Sequence, residues 1–235
     1  MVTDQLTFGL TLANRGVLLG VTTPAELLDL AERAEATGQF DSVWVGDSLF
    51  AKPRLDAVTL LAALAARTKT LRLGPACLAS FPLRNPLVFA YEWASLDCIS
   101  EGRTALIVCA GGGSAGDWEA EARAMKVPVR ERQRRLNEHV TILRRLWSED
   151  NVSHQGEFFQ FDNITLEPKP IQQPCPIWLA NNPWTVNPDP ARVDFQRGES
   201  RLEAALEDHE DQGLKEREII SVKWAVDEET AFEAF

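Results

Sequence analysis

Short apolar runs alternate along the chain with longer stretches in which apolar residues recur at helical spacing. Residues 70–113 show this pattern most clearly. An apolar strand at residues 71–78 leads to a helix that begins at Asn85 and Pro86, and a second apolar strand follows at residues 105–109. Asparagine accepts hydrogen bonds from free helix amides, and proline suits the first helical position because it lacks an N–H. The segment therefore predicts a βαβ unit with two parallel strands.

The same alternation continues on both sides of this unit. Further strands are predicted at residues 6–12, 40–45 and 177–180, helices at residues 23–38, 56–67, 118–125 and 130–147, and a small hairpin at residues 152–161. Strands that alternate with helices in this way predict an α/β fold of the TIM type, a (β/α) barrel of parallel strands.

After residue 183 the pattern becomes weaker. Three prolines and Gly198 interrupt residues 183–200, which leaves too little chain for another βα unit. A helix is predicted after Ser200 and a strand at residues 219–226. We therefore count about six core strands where a closed barrel has eight. The sequence predicts one domain over residues 1–235, an incomplete or shortened barrel in which residues 184–235 form the shortened C-terminal part.

The net charge of −11 argues against a nucleic-acid-binding protein, because neutralising phosphates requires clustered lysine and arginine. The basic run at residues 130–135 is the exception. Leu136, Val140 and Leu143 supply an apolar face to the same helix. We therefore predict that the basic run is the solvent-exposed face of that helix.

The cysteines are widely spaced and form no CxxC pair, which predicts buried reduced thiols and no metal site. They are Cys77, Cys98, Cys109 and Cys175. No basic N-terminal segment followed by a long apolar one is present, and no apolar run approaches membrane-spanning length. These observations predict a cytoplasmic protein without a membrane partner.

The order of several motifs resembles a known enzyme group. The chain reads FGLTLANRG, FDSVWVGDSL, PLRNP, SLDCISEGR and VPVRERQRRLNEHVTILRRLW in that order. Over residues 8–183 this order and spacing resemble the luciferase-like family of flavin- and deazaflavin-dependent oxidoreductases. The resemblance implies a monooxygenase-type enzyme that uses reduced flavin and oxygen on a small apolar substrate. It implies FMN as the cofactor, with the deazaflavin coenzyme F420 as the alternative, and a separate flavin reductase as partner.

Residues at the ends of the second and third predicted strands are the first candidates for the site. Asp47 and Ser48 follow the second strand. The resemblance places groups that lie beside the flavin ring at this point, including catalytic acid–base residues. The equal alternative is that one of the two residues caps the next helix. Ser48 stands where many family members have a histidine. Ala76 and Cys77 match the family's non-prolyl cis peptide and bulge behind the flavin ring, and an ordinary buried strand is the alternative.

Two later loops are candidate cofactor contacts. The first loop follows the fourth strand and contains Ala110, Gly111 and Gly112. Its small residues would allow the backbone to approach and bind an anion, and the alternative is a loop without a binding role. By resemblance, Ala110 replaces an arginine that binds the flavin phosphate in bacterial luciferases. The resemblance places further hydrogen bonds to the phosphate after the fifth strand, where a simple turn is the alternative, at Asn181, Asn182 and Thr185.

Three further interpretations follow from the sequence. Gly112, Ser114 and Gly116 spell GxSxG, the nucleophile elbow of serine hydrolases, with Asp194 and His209 as downstream partners. A non-catalytic flavin-binding protein of the same fold is the second alternative to an active oxidoreductase. The open strand edges of an incomplete barrel need cover, which predicts a homo-oligomer, in the simplest case a homodimer. Candidate pocket walls are Phe50, Phe81, Tyr91 and Trp178.

Overall fold

A computed structural model describes residues 8–112 and 116–180 of the chain. The strands in this part are β1 (Gly9–Leu12), β2 (Ser42–Gly46), β3 (Arg72–Cys77), β4 (Leu106–Val108), β5 (Val152–Gln155), β6 (Gln160–Ile164) and β7 (Ile177–Leu179). The α-helices are α1 (Pro24–Thr37), α2 (Ala57–Arg67), α3 (Pro86–Ile99), α4 (Asp117–Ala124) and α5 (Arg132–Ser148). The predicted α/β class is confirmed.

The core strands of the described part lie side by side in chain order and run in the same direction. β1 pairs with β2, β2 with β3 and β4 with β7, all of them parallel. Parallel bridges from Leu73 to Thr104 and from Leu78 to Val108 join β3 to β4. β5 and β6 form the predicted antiparallel hairpin. The strand predicted at residues 219–226 lies outside the described residues, so that closure into a barrel stays a prediction.

The helix boundaries follow from local capping chemistry. The Thr23 side chain accepts a hydrogen bond from the Glu26 N–H, and the Glu26 carboxylate accepts one from the Thr23 N–H, which completes a capping box at α1. Gly38 ends α1 in a left-handed conformation with φ of 63°. The Asn85 side chain caps α3, as predicted, by accepting from the Leu87 and Val88 amides. Among the helices of the described ranges, none is both long and apolar enough to cross a membrane.

The central parallel strands β2 and β4 are buried at every position, and β3 is buried at all but its first and last residues, as expected of strands that are covered on both faces. In β2, Val43 and Val45 pack with the helices in the larger core cluster. Trp44, between them, faces a second and smaller apolar cluster. The members of this second cluster in the described part are Trp44, Ala76, Ala105, Ile107 and Ala180, with Cys77, Cys109 and Trp178 packed against them. This second face is the one that a barrel would enclose.

The SLDCISEGR segment fixes the chain between α3 and β4. All five N–H donors of Arg103 bind oxygen atoms at the C-terminal ends of α2 and α3 and at the start of β3. The buried Asp97 carboxylate accepts from the Thr104 hydroxyl at 2.6 Å and from the Gln172 backbone N–H at 3.0 Å. This motif therefore holds the scaffold together and lies at the opposite strand ends from the candidate site.

The prediction for the basic run at residues 130–135 is wrong for one residue. Arg134 is exposed, but Arg132 is only 1% exposed. Arg132 lies four residues before Leu136 and eight before Val140, so all three occupy the same buried face of α5. Its position along the helix therefore buries Arg132, although arginine is usually a surface residue. The Arg132 guanidinium lies inside the fold.

Candidate active site at the carboxyl ends of the strands

The loops after β2, β3 and β4 lie along one edge of the sheet. Because these strands are parallel neighbours, their carboxyl ends are on the same side. Asp47 directly follows β2, Cys77 is the last residue of β3, and Ala110 lies two residues after β4. The structure therefore brings three of the predicted site positions to a common rim, which we call the strand-end rim.

Asp47 connects the loop after β2 to the loop after β3. Its carboxylate accepts a hydrogen bond from the Ser80 N–H at 2.6 Å and lies 3.6 Å from the Arg84 guanidinium. Arg84 also binds Asp56 at 2.7 Å and donates to the Ser80 hydroxyl at 2.8 Å. Burial raises the pKa of Asp47, while Arg84 and the Ser80 N–H act in the opposite direction. The side chain is thus held by protein groups on both oxygen atoms.

Ser48 shapes the same loop. Its hydroxyl accepts a hydrogen bond from the Lys52 N–H at 2.9 Å. The alternative that Asp47 or Ser48 caps the next helix is wrong, because the side chain of Asp56 caps α2 by accepting from the Thr59 N–H. The buried Asn14 side chain donates to the carbonyls of Gly46 and Leu55 and so joins the two ends of this loop.

β3 contains the predicted irregularity. Val45 pairs with Pro75 and Gly46 pairs with Cys77, so Ala76 is an extra residue in β3 and forms a bulge. Cis peptide bonds in residues 8–112 and 116–180 occur only before Pro168 and Pro174, so the Ala76–Cys77 peptide is not cis. The sequence-based expectation of a bulge holds, and that of a cis bond does not.

Cys77 and Cys109 form a disulfide across the ends of β3 and β4. The prediction of reduced thiols is therefore wrong for this pair, while Cys98 and Cys175 are free. The two residues are far apart in sequence, but neighbouring parallel strands bring their Cα atoms to 6.2 Å, within the range for a disulfide. Sequence spacing alone gave no sign of this proximity.

The loop after β4 has a buried ion pair beneath it, which the sequence reasoning missed. Gly111 has φ of 87°, and a Cβ atom there would lie 2.7 Å from the Ala79 carbonyl oxygen and 2.8 Å from Nη1 of Arg132. Glu121 of α4 lies 3.8 Å from Arg132 and accepts hydrogen bonds from the Phe50 and Ala51 amides. The position of Arg132 on the apolar stripe of α5 was the available signal.

The predicted pocket walls divide into three groups. Phe81 is a core residue that packs against the rings of Phe89 and His139. Phe50 and Tyr91 are more than half exposed. Trp178 lies on the inner face of the sheet, with its ring 6.1 Å from that of Trp44. Of the four aromatic residues, Trp178 is therefore the one that the structure places on the face a barrel would enclose.

Several predicted residues lie outside the described ranges. They are Asn181, Asn182 and Thr185 of the proposed phosphate contacts, and Ser114, Asp194 and His209 of the hydrolase alternative. Their roles stay predictions. Within residues 8–112 and 116–180, no group of three or more His, Cys, Asp or Glu side chains is arranged to hold a metal ion.

Comparison with known proteins places this fold and rim in a family. The family model described as luciferase-like monooxygenase matches residues 6–187, most of the chain. The chain belongs to the luciferase-like monooxygenase family. The resemblance read from the motif order is thereby confirmed, and the match covers all three loops of the strand-end rim.

Members of this luciferase-like family with named activities use two kinds of cofactor. The chain is 34% identical over 163 residues to an F420-dependent glucose-6-phosphate dehydrogenase of Kineococcus radiotolerans, covering 67% of this chain and 47% of that protein. It is 32% identical over 162 residues to the oxygenase component of a flavin-dependent trigonelline monooxygenase of Acinetobacter baylyi, covering 66% and 42%. These names match the predicted alternatives, a flavin and the deazaflavin F420.

The solved structures agree with this luciferase-like assignment. The crystal structure of a monooxygenase from Streptomyces bottropensis superposes with a TM-score of 0.65 at 29% identity, covering 76% of this chain and 54% of that one. The chain spans about half the length of the relatives it matches.

Proposed function

We propose that this chain forms the cofactor-binding part of a luciferase-like oxidoreductase of the monooxygenase type. FMN is the proposed cofactor, with F420 as the alternative, and the substrate is a small apolar molecule. When bound, the cofactor supplies the redox chemistry, which no protein side chain provides. The chain itself orients the ring, binds the phosphate and excludes water. The proposed barrel and its single domain over residues 1–235 belong to the same proposal.

One observation supports this proposal above the others. Three successive loops at the strand-end rim are tied to one another, by the Asp47–Ser80 hydrogen bond and the Cys77–Cys109 disulfide. A cation, Arg132, lies directly behind the glycine of the third loop. A rigid edge with a buried positive charge suits an anionic, planar cofactor, because the binding groups are held in place before the ligand arrives.

The residues of the strand-end rim are better suited to orienting the cofactor than to transferring protons. Asp47 has its oxygen atoms occupied by Ser80 and Arg84, and the Ser48 hydroxyl is engaged by Lys52. We therefore propose that both residues act by fixing the loop that faces the ring. The bulge at Ala76 lies at the same end of β3, and the loop after β4 carries only small residues at Ala110, Gly111 and Gly112. Asn181, Asn182 and Thr185 stay the proposed phosphate contacts beyond the described part.

A flavin reductase is the proposed protein partner. The Acinetobacter relative is named as an oxygenase component, which implies that another component supplies its reduced flavin. If the cofactor is FMN, we propose that a separate reductase likewise supplies reduced flavin to this chain. If the cofactor is F420, the chain would transfer hydride without oxygen, and this partner would not be needed.

The second proposed partner is another copy of the chain. Val88, Tyr91 and Ile99 are each more than half exposed on α3. Residues at these spacings lie on one face of a helix, so they form an exposed apolar stripe, which Glu92 and Ser95 interrupt with polar groups. We propose that this α3 stripe packs against the same stripe of a second chain, since exposed apolar stripes of this kind commonly form interfaces.

Cofactor binding tests the proposed function directly. Purified protein would be incubated with FMN or with F420, freed of unbound ligand, and examined by absorbance and native mass spectrometry. We expect one of the two to be retained at one molecule per chain. With FMN retained, addition of a flavin reductase and NADH should give oxygen uptake that apolar substrates increase. Retention of neither cofactor would refute the proposal, and retention without any turnover would favour the non-catalytic alternative.

A matched pair of glycine variants localises the binding. Gly111→Ala introduces a Cβ into the space between Ala79 and Arg132, whereas Gly38→Ala introduces one where no atom lies within 4 Å. Both positions have positive φ, so both variants lose stability through the same backbone strain. Only Gly111→Ala should weaken cofactor binding. Equal effects of the two variants on binding would place the cofactor elsewhere.

A further inference from the structure

The Cys77–Cys109 disulfide is the last link between the ends of β3 and β4 in the described part of the chain. Along β4, the link before it is the parallel bridge from Leu78 to Val108. On the other side of β4, the Ala180 N–H donates to the Val108 carbonyl at 2.9 Å. Both of these links end at Val108, so the disulfide at Cys109 is what holds the chain where it leaves the sheet.

Residues 110–112 have no hydrogen bond of their own to the rest of the described chain. Within residues 8–112 and 116–180, none of the three donates or accepts a hydrogen bond. Gly111 lies beside the Ala79 carbonyl and Arg132, and Gly112 lies beside the Trp118 ring. Glycine has more backbone freedom than other residues, so this segment loses its fixed shape readily when an anchor is removed.

The other two loops of the strand-end rim are held without sulfur. The Asn14 side chain joins the two ends of the loop after β2, and the Glu121 carboxylate accepts two hydrogen bonds from backbone amides within that loop. The Asp47 carboxylate holds the loop after β3 through the Ser80 N–H. Opening the disulfide would therefore release residues 110–112 and leave the other two loops in place.

The disulfide is open to exchange with thiols from outside the chain. Cys77 and Cys109 are both partly exposed, and both pack against the cluster on the inner face of the sheet. The two free cysteines are poor competitors for the bond. Burial raises the pKa of Cys175 to about 12, and burial together with the nearby Asp97 raises the pKa of Cys98. A protonated thiol does not attack a disulfide, so an external dithiol is the reagent that opens this one.

We propose that the Cys77–Cys109 pair is a redox switch that controls cofactor binding at the strand-end rim. This inference rests on the proposed function. In the oxidised form, residues 110–112 are held in place before the cofactor arrives. In the reduced form, binding must also order this segment, and the lost conformational freedom weakens the affinity.

The switching step is thiol–disulfide exchange with a dithiol. Two electrons and two protons pass from the dithiol to the pair, the S–S bond breaks, and two thiols form. The dithiol is itself oxidised to a disulfide. The reverse exchange with an external disulfide closes the bond again, so the switch is reversible.

Titration of the two redox forms tests the switch. Wild-type protein would be left oxidised or treated with dithiothreitol under anaerobic conditions, desalted to remove the reductant, and titrated with FMN and with F420. Thiols counted after denaturation should number two in the oxidised form and four in the reduced form. We expect the reduced form to bind the cofactor roughly tenfold more weakly or worse. Amide hydrogen exchange at residues 110–112 should be faster in the reduced form, with or without cofactor.

Two variants serve as controls. The double variant Cys77→Ser, Cys109→Ser should bind with the affinity of the reduced wild type under both conditions, and Cys98→Ser should switch as the wild type does. The reduced wild type carries no substitution, so the test stands even if the double variant fails to fold.

Three results would overturn the switch alone. They are equal cofactor affinity of the two redox forms, four thiols even after treatment with an oxidising disulfide, and loss of the folded circular-dichroism signal on reduction, which would show that the bond holds the whole fold. Failure of both redox forms to bind either cofactor refutes the proposed function and the switch together.

Discussion

The carboxylate of Asp47 accepts a 2.6 Å hydrogen bond from the backbone N–H of Ser80, a residue in the loop after the neighbouring strand. Two consecutive loops of the strand-end rim are thereby joined through one buried side chain. Arg84 strengthens the link, because it contacts Asp47, Asp56 and the Ser80 hydroxyl at once. The main role of Asp47 is thus to stabilise the two loops. It affects a ligand only indirectly, by holding the strand-end rim in shape.

Asp47→Asn keeps an acceptor for the Ser80 N–H but removes the charge that faces Arg84. We expect a loss of about 1.5–3 kcal/mol in the free energy of unfolding, the range for hydrogen bonds to charged groups. Asp29→Asn is the control, because Asp29 pairs with Arg67 at 3.0 Å on the surface and should cost less than about 1 kcal/mol. Urea unfolding measures both, and a loss for Asp47→Asn no larger than that of the control contradicts the structural role.

His139 predicts an acid-sensitive fold. Burial lowers the pKa of His139 from 6.5 to about 4, with Arg135 acting in the same direction and the Phe81 carbonyl and Glu138 opposing it. The unfolded chain therefore binds a proton that the folded chain excludes between these pH values. The stability from His139 is fully present above pH 6.5 and is lost as the pH falls toward 4. Between pH 7 and pH 5 this loss amounts to about 2 kcal/mol.

The variant His139→Gln tests this pH dependence. A glutamine can still donate to the Phe81 carbonyl, which lies 3.2 Å from Nδ1 of His139, but it does not titrate. Urea unfolding at pH 7 and pH 5 should show a smaller loss of stability for the variant than for the wild type. Parallel pH profiles of the two proteins would contradict the assignment.

The Cys77–Cys109 disulfide predicts a defined thiol count. The sequence contains four cysteines, so the denatured, unreduced protein should expose two thiols and the reduced protein four. Closing a loop of 32 residues should stabilise the fold by about 3–4 kcal/mol in the chain-entropy treatment. A reductant should therefore lower the melting temperature of the wild type and leave that of the double variant Cys77→Ser, Cys109→Ser unchanged.

Cys98→Ser is the matched control for this experiment. Cys98 is a free thiol whose Sγ contacts the Lys169 carbonyl at 3.4 Å. This variant should still respond to the reductant, because the disulfide is intact. Four reactive thiols in the denatured, unreduced wild type would show that the pair is not oxidised.

The α3 stripe predicts that the chain self-associates. Tyr91→Glu places a charge in the centre of the proposed interface, where burying it without a partner is unfavourable. We expect native mass spectrometry to show dimers of the wild type and monomers of this variant. Leu30→Glu, which places the same charge on an exposed leucine of α1 outside the stripe, should leave the dimer intact. A monomeric wild-type chain would contradict the proposal.

The sequence by itself determined the elements, their order and the family. Capping residues such as Thr23 and Asn85, glycines such as Gly38, and apolar periodicity act within a few residues, so their effects can be read locally. Strands that alternate with helices then imply a parallel sheet with its candidate site at the carboxyl ends. The positions of Asp47, Cys77 and Ala110 at one rim followed from that rule.

Only the tertiary structure decided what these side chains contact. The Cys77–Cys109 pairing, the tie from Asp47 to Ser80 and the place of Arg132 behind Gly111 all join residues more than 20 positions apart. Such pairs depend on strand register, on the extra residue in β3 and on how α5 packs against the loops, none of which local spacing encodes. A charged residue on an apolar stripe looks solvent-exposed by type, and only packing shows that it is buried.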